Sequence, residues 1–253
     1  MIMISLQSGS NGNCSYLEAG GVKLLFDAGI SGKQAIRRLK MRGRDIRQCD
    51  ALIISHDHAD HSRSAGVFHR MFDLPVYMTA SAHARLDGRL GRLTNVHHFD
   101  PGDRLRFGDV DVETVPTPHD VLDAVAFVVH EGPKRLGILT DLGHPFDGLG
   151  SLLSRLDGVC LESNYDPEML RTGPYPPALK ARIRGPGGHL SNVEAAKLLA
   201  EHASDRLRWV ALAHLSEHNN TPQLALATHR RFVGNDLSIR TLSRYEAGPI
   251  LEV

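Results

Sequence analysis

The sequence predicts an α+β fold of four layers, αββα, in which two β-sheets pack face to face and helices cover the outside. Short β-type runs separated by Gly, Ser and Asn turns fill the first half of the chain. The second half repeats the mixture, with longer helical segments set between apolar runs. His and Asp residues also fall repeatedly just past the ends of those runs, at sheet edges where sites are commonly built.

The elements are read in order. Met1–Leu6, Cys14–Glu18 and Val22–Phe26 read as strands, and Ser31–Arg42 as a helix with Ala35, Ile36 and Leu39 at helical spacing. Ala51–Ile54 is a short buried strand and Ser62–Phe72 a helix. Strands follow at Pro75–Met78, Val96–Phe99, Arg104–Phe107, Val110–Val115, Ala124–Val129 and Leu136–Leu139. Beyond them come a strand at Gly158–Leu161, helices at Asp166–Leu170 and Asn192–His202, a strand at Arg208–Leu212 and a helix at Thr221–Phe232. No repeat, low-complexity tract or long linker interrupts them, so residues 1–253 are expected to form one domain.

Lys plus Arg equals Asp plus Glu at 29 each, so no global field points to nucleic acid. The basic residues are 23 Arg against six Lys, and Arg holds phosphates with a bidentate fork, which makes their local placement matter. Fifteen His hint at metal. Cys14, Cys49 and Cys160 make no CxxC pair, which argues against a disulfide framework or a thiolate zinc site. No basic leader and no long apolar run is present, so neither a signal peptide nor a membrane span is expected, and the cytoplasm is the expected location.

The chemistry concentrates in Ser55-His56-Asp57-His58-Ala59-Asp60-His61, directly after the apolar run Ala51–Ile54. His56 and His58 are two apart, so an extended backbone points both imidazoles the same way, while Asp60 and His61 enter the first turn of a helix. Imidazole and carboxylate suit zinc, and also manganese or iron.

This HxHxDH pattern resembles the signature of the metallo-β-lactamase superfamily. The resemblance implies that Asp27, ending Leu24-Leu25-Phe26, orients the HxHxDH loop, although a turn-capping role reads as well. It assigns His56, His58 and His119 to one divalent ion and Asp60, His61 and His214 to a second, with Asp141 bridging. Two Zn or Mn ions, with Fe an option, would share a water whose pKa falls toward about 7. His144 and Asp57 fit no ligand position.

Three further segments narrow the branch: Ser8–Cys14, Leu161–Asp166, and Gly188–Asn192 paired with Ala213–Pro222. Together they resemble the YycJ/WalJ branch, related to RNase Z and RNase J, over nearly the whole chain. That implies a 5′-to-3′ DNA exonuclease linked to DNA repair, acting by metal-activated hydroxide attack, with Asp60, His189 and Glu162 as catalytic residues. His189 would protonate the leaving alkoxide and Glu162 would orient it. Ser191, Asn192 and Asn164 are candidate phosphate contacts, although Ser191 reads equally as a plain N-cap. Arg37 and Arg38, in the basic stretch Arg37–Arg47, are candidate DNA-backbone contacts, with a solvated face as the other reading. The inserted clamp of RNase J and the arm of RNase Z are absent, so an open groove is expected, completed by a partner or a dimer. Hydrolysis of small cyclic or nucleotide-like phosphodiesters, or of thioesters and lactones, remains open on the same residues.

Overall fold

Residues 1–253 are described by a computed structural model. The first sheet is built from β1 (Ile2–Gln7), β2 (Cys14–Ala19), β3 (Val22–Phe26), β4 (Ala51–Ile53), β5 (Val76–Thr79) and β6 (Val96–Phe99). The second contains β7 (Arg104–Phe107), β8 (Val110–Pro116), β9 (Val125–Glu131), β10 (Lys134–Leu139), β11 (Gly158–Glu162), β12 (Trp209–Ala213) and β13 (Ser238–Thr241). A last short strand, β14 (Leu251–Glu252), returns to the first sheet beside β1. Strand orders are β14-β1-β2-β3-β4-β5-β6 and β13-β12-β11-β10-β9-β8-β7.

Each sheet opens as an antiparallel meander and continues as parallel strands: β3 to β6 in the first, β10 to β13 in the second. Gly20 and Gly21, at φ 53° and 81°, make the tight β2–β3 turn that needs two residues with positive φ. The inner parallel strands β4, β11 and β12 are buried on both faces, which is why they read as continuous apolar runs. Side chains alternate: Val125, Phe127 and Val129 face the inter-sheet core, whereas Ala126 and Val128 face the helices behind. Phe26 and Phe127 meet across the sheets with ring centroids 5.0 Å apart.

Behind the first sheet lie α1 (Gly32–Lys40), α2 (Ala59–Ser62), α3 (Ala65–Phe72) and α4 (Ala80–Leu86). The second sheet carries α5 (Leu149–Leu153), α6 (Pro167–Thr172), α7 (Pro177–Arg184), α8 (Asn192–His202) and α9 (Pro222–Val233). The αββα arrangement matches expectation. The helix expected over Ser62–Phe72 is instead broken, because the Ser64 amide donates to Ala28 O (2.9 Å) and leaves the helical ladder. Helices α4, α5 and α7 and strands β13 and β14 were not expected from sequence. No helix is long and apolar enough to cross a membrane.

Candidate metal centre

Six strands from both sheets deliver their carboxyl ends to one place. Asp27 follows β3, the His56–His61 segment follows β4, His119 follows β8, Asp141 follows β10, Glu162 closes β11 and His214 follows β12. Asp27, Asp141 and His214 sit in the left-handed region, at φ 63°, 57° and 57°. This conformation turns the chain sharply off each strand; it is uncommon outside glycine, with Asp, Asn and His enriched there. Gly29 permits the loops to close: a Cβ there would lie 1.7 Å from Asp60 O.

The donor atoms of His56, His58 and His119 lie within 4.8 Å of one another, as do those of Asp60, His61 and His214. Asp141 stands between the groups, with Oδ2 3.2 Å from His61 Nε2 and Oδ1 3.7 Å from His119 Nε2. Asp60 Oδ2 is 3.4 Å from His214 Nε2 and 3.5 Å from His61 Nε2.

Outer contacts fix which ring nitrogen faces inward. His61 donates from Nδ1 to Asp27 Oδ2 (2.7 Å), and Asp27 Oδ1 accepts from the Ser55 amide (2.8 Å). His119 donates from Nδ1 to Gly188 O (3.1 Å). Glu162, fully buried, receives His189 Nδ1 at 2.7 Å and His214 Nδ1 at 3.3 Å on Oε1, while Oε2 accepts the Leu142 amide at 2.9 Å.

The electrostatics are those of acids crowded with imidazoles. Burial would raise the Asp141 and Asp60 carboxyls, but neighbouring His61 and His214 outweigh it and hold both well below the usual range. Glu162 is drawn down to about 2, because His189 and His214 overcome its burial. Burial opposes a charge on His214, yet Asp141, Asp60 and Glu162 raise it to about 10; His61 is raised likewise by Asp141, Asp27 and Asp60. His56, buried and beside His61, is pushed down.

The residues fit a divalent cation. Two buried atoms, His56 Nε2 and Asp141 Oδ2, have no hydrogen-bond partner. Buried unpartnered acceptors are costly, and a cation satisfies both. The set is imidazole and carboxylate without thiolate, since Cys14 and Cys160 are buried with their thiols pushed up and belong to the hydrophobic cores.

Not every residue singled out from sequence reaches the cavity. Ser191 caps α8 in a reciprocal capping box with Glu194 and is 3% exposed. Asn192 is fully buried, joined to Ser163 and Asn220. These two serve the fold, which corrects their reading as phosphate contacts. Asn164 lines the cavity and donates to His214 O at 2.7 Å, which buttresses that loop.

Arg38 corrects the DNA-contact expectation most directly. It is 3% exposed and its guanidinium is taken up by Gln7 and by the carbonyl of Tyr245. Arg42 ties down Ala247 and Gly248, and Arg44 pairs with Glu18, so three of the six basic residues in the stretch are internal bracing. Arg37 is exposed but does not line the cavity.

Sequence reasoning missed Asn13, whose amide nitrogen is 2.9 Å from His61 Nε2 and 3.2 Å from Asp60 Oδ2. It missed Asp120, 3.5 Å from His58 Nε2 and paired with Arg182. Asp120 adjoins His119 in sequence, and that adjacency was the available signal.

Fold and donor set together define a metal-dependent hydrolase that uses divalent metal. Residues 23–210 match the family model described as a beta-lactamase superfamily domain. Exodeoxyribonuclease YycJ of Bacillus anthracis is 35% identical over 222 residues, covering 87% of this chain and 84% of the relative. Exodeoxyribonuclease WalJ of Streptococcus pneumoniae serotype 2 (strain D39 / NCTC 7466) is 34% identical over 259 residues, covering 98% and 96%. The chain belongs to the metallo-β-lactamase superfamily, in its YycJ/WalJ branch. Among solved structures, Zn(2+)-bound PqqB from Methylobacterium extorquens shares the fold at TM-score 0.76 over 100% of both chains, with 13% identity.

Proposed function

We propose that this protein is a binuclear-metal phosphodiesterase that shortens DNA from its 5′ end. The observation that carries the reading is the Glu162–His189 pair, joined at 2.7 Å, with His189 on the wall of a cavity of about 340 Å³ that also opens on Asp60, His119 and His214. Two relatives named exodeoxyribonucleases support DNA as the substrate. In this reading His56, His58 and His119 hold one ion, Asp60, His61 and His214 a second, and Asp141 serves both.

Bound divalent ions supply positive charge that polarises the phosphoryl group and lowers the pKa of coordinated water. The chain's own residues do the remainder. Glu162 keeps Nδ1 of His189 protonated, so Nε2 is the nitrogen that exchanges a proton with substrate. As an imidazolium, His189 delivers that proton to the leaving alkoxide. Arg182, exposed on the cavity wall and paired through Nε with Asp120, offers its terminal guanidinium nitrogens to a phosphate oxygen.

The test compares His189→Ala with wild type on 5′-phosphorylated, end-labelled DNA and on a p-nitrophenyl phosphodiester, whose leaving group needs no proton. The expected loss on DNA is about 10²- to 10⁴-fold, with metal content unchanged by elemental analysis and a much smaller loss on the activated diester. Equal losses on both substrates would remove His189 as the acid. Hydrolysis of small diesters but no DNA by the metal-loaded protein would favour cyclic or nucleotide-like substrates, which the cavity volume also suits.

A further inference from the structure

A second cavity, of about 380 Å³, adjoins the metal centre. Ser216 lines both cavities, and the loop after β1 serves each in turn, with Ser10 on the first and Ser8 on the second. Leu215 and Ser216 directly follow His214, so the second cavity begins within about 7 Å of extended chain from that residue.

We propose that this cavity is a nucleotide subsite, in which the base neighbouring the scissile phosphodiester stacks on Tyr245. The inference rests on the DNA reading above. Tyr245 is 58% exposed, yet it is held on several sides. Its hydroxyl donates to Glu217 Oε1 (2.8 Å), its amide donates to Ser243 Oγ (3.1 Å), and its carbonyl accepts from the buried Arg38. The Arg244 guanidinium lies 5.7 Å from the ring centroid and is itself anchored to Leu215 O and Glu217.

An exposed aromatic ring whose hydroxyl and backbone are both tethered is partly ordered before a ligand arrives. It is well suited to a planar ligand, because part of the ordering cost has been met before binding. Base–aromatic stacking is how single strands are held without regard to sequence. The remaining lining is polar as well: Ser8, Ser216, Thr221, Thr241 and Ser243 line the space, and the hydroxyls of Ser8, Ser216, Thr221 and Ser243 each accept a backbone amide, which fixes their positions. Glu217 is the one acid lining it, and Arg244 neutralises that carboxylate, so a phosphate meets no unpaired negative charge. Such a subsite gives the protein a hold on the strand beside the cut.

The experiment combines Tyr245→Ala and Tyr245→Phe with oligodeoxynucleotides carrying one abasic position, moved stepwise along the strand near the cleaved end. Tyr245→Ala is expected to lower kcat/KM on intact oligonucleotides about 5- to 150-fold, with metal content and Tm unchanged. Tyr245→Phe, which keeps the ring, stays within a few fold of wild type. One abasic position lowers wild-type cleavage comparably, and that same position has no further effect in Tyr245→Ala. Hydrolysis of the p-nitrophenyl phosphodiester, too small to span both cavities, is unaffected by either substitution.

Binding of a fluorescent single strand with uncleavable phosphorothioate linkages to the metal-loaded protein, where nothing is cut, should weaken by the same factor in Tyr245→Ala. Unaltered binding and cleavage by Tyr245→Ala, or equal loss in the Ala and Phe variants, would overturn the subsite while leaving the nuclease reading intact. A wild type that cuts no DNA but binds it in a Tyr245-dependent way would overturn the activity and keep the subsite.

Discussion

Histidine plays opposite parts at different points in this chain. At the metal centre the carboxylates around His61 and His214 favour positive charge, which a bound cation would supply. His229, buried on α9, is arranged to stay neutral: Nδ1 donates to Ala225 O at 2.9 Å, and Nε2 is buried without a partner. A second proton would leave an N–H with no acceptor, and burial lowers the pKa despite the Ala225 carbonyl, which works the other way. Below about pH 6.5 the unfolded chain therefore takes up this proton before the folded one does. The stabilisation from neutral His229 is complete above that pH and is lost as pH falls through it toward the lower folded value. His229→Leu is expected to flatten the loss of stability between pH 7 and 5, by up to about 1.4 kcal/mol per pH unit. Urea unfolding at several pH values checks this, and parallel curves for variant and wild type would refute it. At this scale the sequence is legible where function is contiguous, as in His56–His61. It is opaque where a role is created by folding: nothing in the local sequence places Asn13 against Asp60 and His61, 47 and 48 residues away.

Elements were legible where an apolar pattern, a turn or a cap marks them in the sequence. Strand β3 and helix α8 have the bounds expected from sequence, because an apolar run, turn residues and the Ser191 cap mark them directly. Helix α7 has no buried residue, so it carries no amphipathic stripe to read, and Pro176-Pro177 disguises a proline-initiated start as a loop. Helix α1 shows the converse. Its basic residues look alike in sequence, but periodicity turns Arg38 inward and leaves Arg37 outside. Arg37→Ala should change stability by less than about 0.5 kcal/mol. Arg38→Ala leaves Gln7 and the Tyr245 carbonyl without their donor and should cost about 1–3 kcal/mol. Urea titration of both variants separates the outcomes, and equal effects would contradict the inward placement.

In the molecule as a whole, the two sheets share one apolar interior and meet again at the metal centre. The first sheet contributes the His56–His61 segment, and the second contributes His119, Asp141 and His214. An ion held by both sheets binds the folded state and has no such site in the unfolded one. Chelation should therefore lower Tm; at free metal 100-fold above Kd the difference is about 2.7 kcal/mol, or roughly 5–10 °C for a chain of this size. Calorimetry with and without chelator tests this, and an unchanged melting temperature would show that the ion is not coupled to folding. The αββα class was legible because strands buried on both faces leave long apolar runs. The pairing of β14 with β1 was not, since two residues of strand carry no pattern.

The left-handed backbone at Asp27, Asp141 and His214 also bears on how the centre evolves. Coordination chemistry alone would accept Glu or Cys at several of these places. A side chain outside the small group at ease in that conformation adds roughly 1–2 kcal/mol of backbone strain at each position. The strand ends thus act as a filter on the genetic alphabet: they admit Asp, Asn, His and Gly ahead of equally good ligands. A substitution that alters the donor set would meet no such filter at His56, His58, Asp60, His61 and His119, none of which has a positive φ.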